Sequence, residues 1–235
     1  MALSDRSALA APQAASLIAD NLACRRGERV VFAELSFRLE PGGALVLTGA
    51  NGSGKSSLLR LVAGLLPPIA GGLYWGAAPV AADPAAHRAR LHYVGHHDAL
   101  KPAMTPRETL AFWAALHGSR LSRAAPAIEP ALDAFALAEI ADWPCRWLSA
   151  GQRRRVALAR LLVARAPLWL LDEPTSVLDR DGQLRLENAL AAHRAGGGMV
   201  MLATHAPIAL DDATSLRLDG FTPRFDIAGA DFADR

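Results

Sequence analysis

The sequence predicts an α/β fold: a core of buried strands alternating with helices, into which a helical segment is inserted. Three features predict it. Residues 44–48 (ALVLT) and 168–172 (LWLLD) are unbroken apolar runs of strand length, the pattern of strands covered on both faces. Each leads through a turn into a stretch whose apolar residues recur at helical spacing. Residues 105–141 carry helical patterns throughout.

Taken in order, residues 16–37 are short and β-like, LIADNLAC and VVFAELSF around a turn at Arg26-Gly27-Glu28. The strand ALVLT enters a glycine-rich turn and then SSLLRLVAGL, whose leucines are spaced for a helix. Pro67-Pro68 and Gly71-Gly72 punctuate the chain before a short strand at 73–75. A helix and the strand LHYV occupy 84–94. The helical stretch 105–141 opens with a capping-box pair, Thr105 and Glu108, and has Pro106 at its first helical position. After Pro144 a helix is expected from about 150 to 164, then strand 168–172, helix 181–194 and strand 199–205. There are no internal repeats and no long low-complexity linker. The expected organisation is a disordered lead-in over 1–15, one domain over 16–210 with its helical insertion at about 98–147, and a short tail over 211–235 without an assigned function. The lead-in is not read as a signal peptide, because Asp5 and Arg6 come early and no compact apolar core follows.

Composition excludes several classes. The 25 basic and 23 acidic side chains leave a net charge of +2, without the basic excess that nucleic-acid binding requires. Arg153-Arg154-Arg155 is read as a solvated helix face. Two cysteines, Cys24 and Cys145, form neither a disulfide framework nor a zinc-ligand spacing. No run of about 18 apolar residues is present to span a bilayer. Only Lys55 and Lys101 are lysine among the 25 basic residues, so a lysine inside a glycine-rich loop stands out as chemically required.

That loop is Gly49-Ala50-Asn51-Gly52-Ser53-Gly54-Lys55-Ser56-Ser57, matching G-x-x-x-x-G-K-[ST] between a buried strand and a helix. Glycines let backbone N–H groups converge on phosphate oxygens, and the helix offers its positive end. Lys55 would reach the β- and γ-phosphates, and the Ser56 hydroxyl would ligate Mg²⁺. The strand LWLLD ends in Asp172, suited to Mg²⁺ through a water, followed by Glu173, suited to polarising an attacking water. Leu148-Ser149-Ala150-Gly151-Gln152 opens a second helix with a hydroxyl and N–H groups facing outward, a further anion-binding end that a solitary phosphate loop does not need.

LSAGQ upstream of LLDEPTSVLD resembles the signature of ABC-family ATPases. The resemblance implies a P-loop NTPase of ABC type, with an antiparallel β subdomain and an inserted α-helical subdomain. It also implies two copies paired head to tail, the signature of one capping the nucleotide of the other, with Ser149 and Gly151 on the γ-phosphate in trans. Ser176-Val177-Leu178-Asp179 is similar to the family's D-loop, and His205 to its γ-phosphate-sensing histidine. Two family positions differ here. The Q-loop glutamine expected after LHYV is absent from Gly95-His96-His97-Asp98, leaving His96, or else His97, in its place. The adenine-stacking aromatic is replaced by Arg26, which can stack on adenine or stand as a solvent-exposed turn residue.

Within the family the chain most resembles the ATP-binding subunits of cytochrome c biogenesis (haem exporter) systems, over residues 17–207. LACRRGERVVFAELSF, GANGSGKSSLLRLVAGLLPP, YVGHHDALKP with TPRETLAFW, and LSAGQRRRVALARLL carry the resemblance. It implies Mg²⁺-dependent ATP hydrolysis coupled to transport. The implied assembly is a homodimer on a CcmB-like integral membrane permease, peripheral to the cytoplasmic face of the inner membrane, with no nucleic-acid partner. The membrane partner selects the substrate, so an exporter of another substrate stays open at this point, as does the question of whether haem itself is moved. A soluble ABC ATPase acting on DNA or ribosomes fits less well, since the chain has one cassette and no heptad run. Cys145, His96 and His97 are read as a core thiol and loop histidines rather than haem ligands.

Overall fold

A computed structural model describes residues 15–121 and 127–222. The expected disordered lead-in over 1–15 lies outside the described residues except for Ala15, and the last part of the expected tail lies outside them too.

Two sheets form the frame. The first is antiparallel, ordered β2-β1-β4-β5, from β1 (Leu17–Arg26), β2 (Arg29–Leu39), β4 (Ala70–Trp75) and β5 (Ala78–Pro79). The second is wholly parallel, ordered β6-β7-β8-β3-β9, from β3 (Ala44–Thr48), β6 (Leu91–Val94), β7 (Leu168–Asp172), β8 (Met199–Ala203) and β9 (Thr214–Arg217). Helices α1 (Lys55–Val62), α2 (Pro84–Ala89), α3 (Pro106–Leu121), α4 (Ile128–Ala134), α5 (Ala150–Ala159) and α6 (Arg180–Ala195) complete it.

The period-2 geometry of strands explains the unbroken apolar runs. Leu45, Leu47, Leu168, Leu170, Met199 and Met201 point to one face of the parallel sheet, packing with α1 and the antiparallel sheet. Ala44, Trp169, Leu171, Val200 and Leu202 point to the other, packing with residues of α3–α6. Every one of these positions is buried, so neither face tolerates a polar alternate. The helical segment packs on this second face through Leu110, Leu132 and Phe135, beside Val156 of α5. The capping box forms as expected, Glu108 N–H donating to Thr105 Oγ1 at 3.1 Å and Thr105 N–H to Glu108 Oε2 at 2.9 Å.

The structure differs from expectation in four places. The stretch 128–141 is not one helix: α4 stops at Ala134, and Ala136 takes φ 50. Leu137 N–H donates to Leu132 O and Ala136 N–H to Asp133 O, a Schellman closure with alanine where glycine is usual. The Arg155 guanidinium holds it by donating to Phe135 O and Ala136 O. The arginine run 153–155 is therefore not a solvated face; Arg154 is 1% exposed and donates to backbone carbonyls. The helix expected over 150–164 is α-helical only to Ala159 and continues as a 3₁₀ turn, Arg160–Leu162. Finally, residues 214–217 of the expected tail belong to the parallel sheet: β9 pairs in parallel with β3 from Leu45↔Thr214 to Thr48↔Arg217. Its residues TSLR are mostly exposed, as befits an edge strand, and carry no apolar run to announce it.

Candidate functional site

The parallel strands deliver the chemistry-bearing residues at one edge. β3 ends at Thr48 and enters the glycine-rich loop, β6 ends at Val94 before Gly95-His96, β7 ends at Asp172 before Glu173, and β8 ends at Ala203 before Thr204-His205. Open parallel sheets bind ligands at these carboxyl ends. A cavity of about 660 Å³ opens there, within the ~300–1,000 Å³ range of small-molecule sites. The loop residues Asn51, Gly52, Gly54, Lys55, Ser56 and Ser57 line it together with Arg26, His96, Glu173 and His205. His97 does not line it; its ring packs edge-on against His96.

The loop is pressed against β2. At Gly54, with φ 103, an added Cβ would sit 2.6 Å from Val31 Cγ1, so only glycine fits there. Lys55 is 7% exposed, and its Nζ donates to Gly49 O at 2.8 Å and Ala50 O at 3.1 Å, curling the loop around the ammonium. The Ala50 N–H is held from outside by Asp219 Oδ1 at 3.1 Å. That backbone hydrogen bond, with help from Arg217, holds the Asp219 carboxyl below its ordinary pKa.

Ser56, in the first turn of α1, donates from Oγ to Asp172 Oδ1 at 2.9 Å. Asp172 is buried, and its Oδ2 has no hydrogen-bond partner among the described residues. An orphaned carboxylate oxygen next to a hydroxyl is a hard-oxygen donor pair, the chemistry that suits Mg²⁺ completed by phosphate and water. Among the described residues no cluster of three or more His, Cys, Asp or Glu groups offers an all-protein metal cage.

Glu173 occupies the left-handed region, φ 49, which non-glycine residues adopt only when their surroundings enforce it. Its N–H donates to Ala203 O at 2.8 Å, pinning it to the end of β8. Its carboxylate meets the residue after that strand: Oε2 accepts from the His205 N–H at 3.3 Å, and Oε1 lies 3.5 Å from His205 Nε2. A half-buried carboxylate aimed into the cavity beside an imidazole can polarise a water; the loop, Lys55 and the end of α1 can hold a polyphosphate.

Residues 148–152 form the N-terminus of α5, where Ser149 and Gln152 make a capping box. They do not line the cavity of their own chain. Gly151 packs against the segment after Glu173, where an added Cβ would come within 3.0 Å of Val177 O. Asp179 caps α6, accepting from the Gly182 N–H at 2.7 Å, and Val177, two residues earlier, is exposed. Leu148 is buried and Ala150 is exposed at the outer surface of this helix end.

Sequence reasoning missed Arg29 and Val31, which also line the cavity, as does Ser176, which it had read only as part of the D-loop. The hairpin register carried a signal for one of them, since Arg29 pairs directly with Arg26. Asp219 and Arg154 were missed as well; both act on backbone atoms, which leave no mark in a motif.

The ABC transporter family profile matches residues 32–176. The chain is also 58% identical over 213 residues to a protein of Rhodospirillum rubrum named "Cytochrome c biogenesis ATP-binding export protein CcmA", covering 90% of each chain. This chain belongs to the ABC transporter family. Within it, the chain groups with the cytochrome c biogenesis ATP-binding export proteins; a second, from Rhizobium etli, is 46% identical over 87% of this chain and 95% of its own. Among solved structures, an ATP-binding subunit of an ABC transporter superposes with a TM-score of 0.73 at 26% identity, covering 80% of this chain and 79% of that one. A putative ABC transporter ATP-binding protein from Pyrococcus furiosus, 20% identical, shares the fold with a TM-score of 0.74 over 88% of this chain and all of its own. As an ABC ATP-binding subunit the chain hydrolyses ATP in support of transport. Among the described residues no helix is long and apolar enough to cross a membrane.

Proposed function

We propose that this chain powers a transporter serving c-type cytochrome biogenesis, working as a head-to-tail pair beneath a CcmB-like integral membrane permease on the cytoplasmic face of the inner membrane. The observation that carries the reading is the convergence of the phosphate loop, Glu173, His205 and His96 on one cavity, in a chain 58% identical to a cytochrome c biogenesis export protein.

In this reading the backbone N–H groups of residues 49–57 bind the triphosphate, and Lys55 leaves the Gly49 and Ala50 carbonyls to reach the β- and γ-oxygens. Arg26 stacks on adenine through its guanidinium plane, with Arg29 beside it. Ser56 and Asp172 would hold Mg²⁺, which when bound would supply positive charge beside the phosphates. Glu173 polarises the attacking water, and His205 orients that carboxylate and the γ-phosphate. His96 takes the water-sensing place of the family's glutamine; an imidazole is a poorer Mg²⁺ ligand than an amide oxygen but hydrogen-bonds water well.

The reading gives a reason for the outward-facing end of α5. Ser149 and Gly151 close over the γ-phosphate held by the other copy, and the loop through Asp179 runs across the seam between them. ATP then acts as glue for the dimer, and hydrolysis releases it, transmitting one closing and opening stroke to the permease.

The test is a deletion strain of the corresponding gene scored for haem-stained c-type cytochromes. Wild-type chain restores them and a Lys55→Ala chain does not, and an integral membrane permease co-purifies with the wild type. Restoration by Lys55→Ala, or growth of c-type cytochromes without any copy of the gene, would contradict the proposal.

A further inference from the structure

We infer that Arg154 is a positioning residue for hydrolysis: one buried guanidinium sets the spacing of His96 and Glu173 across the cavity and ties both to the helix that opens with LSAGQ, which presumes the role proposed above for Glu173. A guanidinium has five N–H donors in a fixed plane, one on Nε and two on each Nη. Arg154 makes five hydrogen bonds. Nε donates to Pro174 O at 3.2 Å. Nη1 donates to Gly95 O at 2.9 Å and to Asp98 Oδ1 at 3.2 Å. Nη2 donates to Asp172 O at 2.9 Å and to Glu173 O at 2.7 Å.

The acceptors are arranged around the two cavity residues. Gly95 and Asp98 flank His96-His97, on the segment that leaves β6. Asp172, Glu173 and Pro174 present three consecutive carbonyls where the chain leaves β7. The guanidinium thus holds the Gly95 carbonyl before His96 and the Asp98 side chain beyond His97, and grips the backbone on both sides of Glu173. At Glu173 the grip answers a specific need, because its left-handed backbone persists only if neighbouring groups impose it. The N–H is held by Ala203 O, and the carbonyl accepts from Arg154 and from Ser176 Oγ. Of these partners only Arg154 also reaches the His96 segment.

Charge makes the same point. Arg154 is 1% exposed, and Asp98 is the carboxylate it pairs with; the remaining four contacts are carbonyl dipoles. A buried cation is tolerated when fully paired and hydrogen-bonded, and removing part of its shell is costly. Arg154 lies on α5, five residues after Ser149, so the rigid helix carries any displacement of the signature end to Glu173 and His96. Engagement of LSAGQ by a neighbouring copy's nucleotide is thereby linked to the aim of this chain's own Glu173.

The experiment uses the full chain with Arg154→Lys, Asp98→Asn and the double variant, read as kcat and KM for ATP, and as Kd for a fluorescent ATP analogue. Lysine keeps the charge but concentrates three donors on one atom, so it cannot span both segments. We expect Arg154→Lys to lose about tenfold or more in kcat with KM and Kd changed less than about threefold, the split of an interaction acting on the chemical step. Asp98→Asn, at a partly exposed loop position where the amide oxygen can still accept from Arg154, is expected to lose about threefold in kcat, and the double variant no more than Arg154→Lys alone, as partners in one network do. If Arg154→Lys does not fold, the kcat of Asp98→Asn decides alone. Wild-type kcat in Asp98→Asn, or parallel losses in kcat and ATP binding in Arg154→Lys, would overturn the inference. Glu173→Gln separates the two claims: turnover that survives it refutes the underlying role of Glu173, whereas turnover abolished by it and untouched by Asp98→Asn and Arg154→Lys refutes the positioning role only.

Discussion

Ser56 Oγ donates to Asp172 Oδ1 at 2.9 Å, joining the first turn of α1 to the end of β7 across 116 positions of sequence. The contact leaves Asp172 Oδ2 buried without a partner among the described residues, so the pair is poised to accept a cation rather than to close on itself. Ser56→Ala is expected to raise the Mg²⁺ concentration for half-maximal ATPase activity by about tenfold, in the range of losing one ligand or outer-shell partner. Binding of an ATP analogue in EDTA should stay near wild type. Titration of activity against Mg²⁺ checks it; an unchanged midpoint would remove Ser56 from the metal site.

Asp219 holds the phosphate loop through the Ala50 N–H. Asp219→Ala should raise KM for ATP by about threefold to tenfold with kcat nearly kept, because what is lost is the preorganised loop rather than a group acting on the reaction. The folded pKa of Asp219 is depressed, so its contribution is complete at neutral pH and fades only as pH falls from its unfolded value through the folded one. KM measured at pH 7 in Asp219→Asn isolates the charge; an unchanged KM in both variants would show that the loop holds its shape unaided.

His193 stacks on Trp169, ring centroids 3.9 Å apart and nearly parallel, with its Nε2 hydrogen-bonded to Met199 O at 3.3 Å. Burial lowers its pKa to about 4. The folded state therefore favours neutral His193, while the unfolded chain takes up a proton near the ordinary value of about 6.5. Stability is full above that value and declines as pH falls from about 6.5 toward 4. His87, whose Nδ1 accepts from Trp75 Nε1 at 3.0 Å, has its pKa lowered by burial and adds a slope of the same sign. Thermal melts between pH 7 and pH 5 should show a falling Tm in wild type and a flatter profile in His193→Phe. Parallel profiles in the two proteins would contradict the assignment.

His96 lines the cavity and His97 does not. If His96 stands in for a water-sensing amide, His96→Gln keeps or raises ATPase activity, and His96→Ala lowers it by about tenfold, the scale of one lost hydrogen bond to the reacting water. Steady-state rates of the two variants decide it. Equal rates would exclude His96 from that position.

The legible parts of the sequence were those in which neighbouring residues act together. LWLLD is buried throughout and ALVLT is buried at Ala44, Leu45 and Leu47 with Val46 and Thr48 partly covered, which is why both read as strands, and the glycine-rich loop between strand and helix announces an anion site. What stayed hidden depends on partners far along the chain. Nothing in TSLR distinguishes an exposed edge strand from a loop until β3 lies beside it. Arg153, Arg154 and Arg155 read alike, yet Arg154 is buried because the ends of β6 and β7 turn carbonyls toward it. Ala136 ends α4 in a conformation normally given to glycine, since Arg155 and the Leu132–Leu137 closure supply what the residue type does not.

The central claim is that Glu173, held beside His205, activates water on a nucleotide shared by two copies of the chain. Purified Glu173→Gln protein, incubated with ATP and Mg²⁺ and examined by size-exclusion chromatography with light scattering, tests it most directly. The expected result is an ATP-bound dimer with hydrolysis reduced by about a hundredfold or more, as for loss of a general base. A Glu173→Gln protein that turns over ATP at the wild-type rate and stays monomeric would contradict the account.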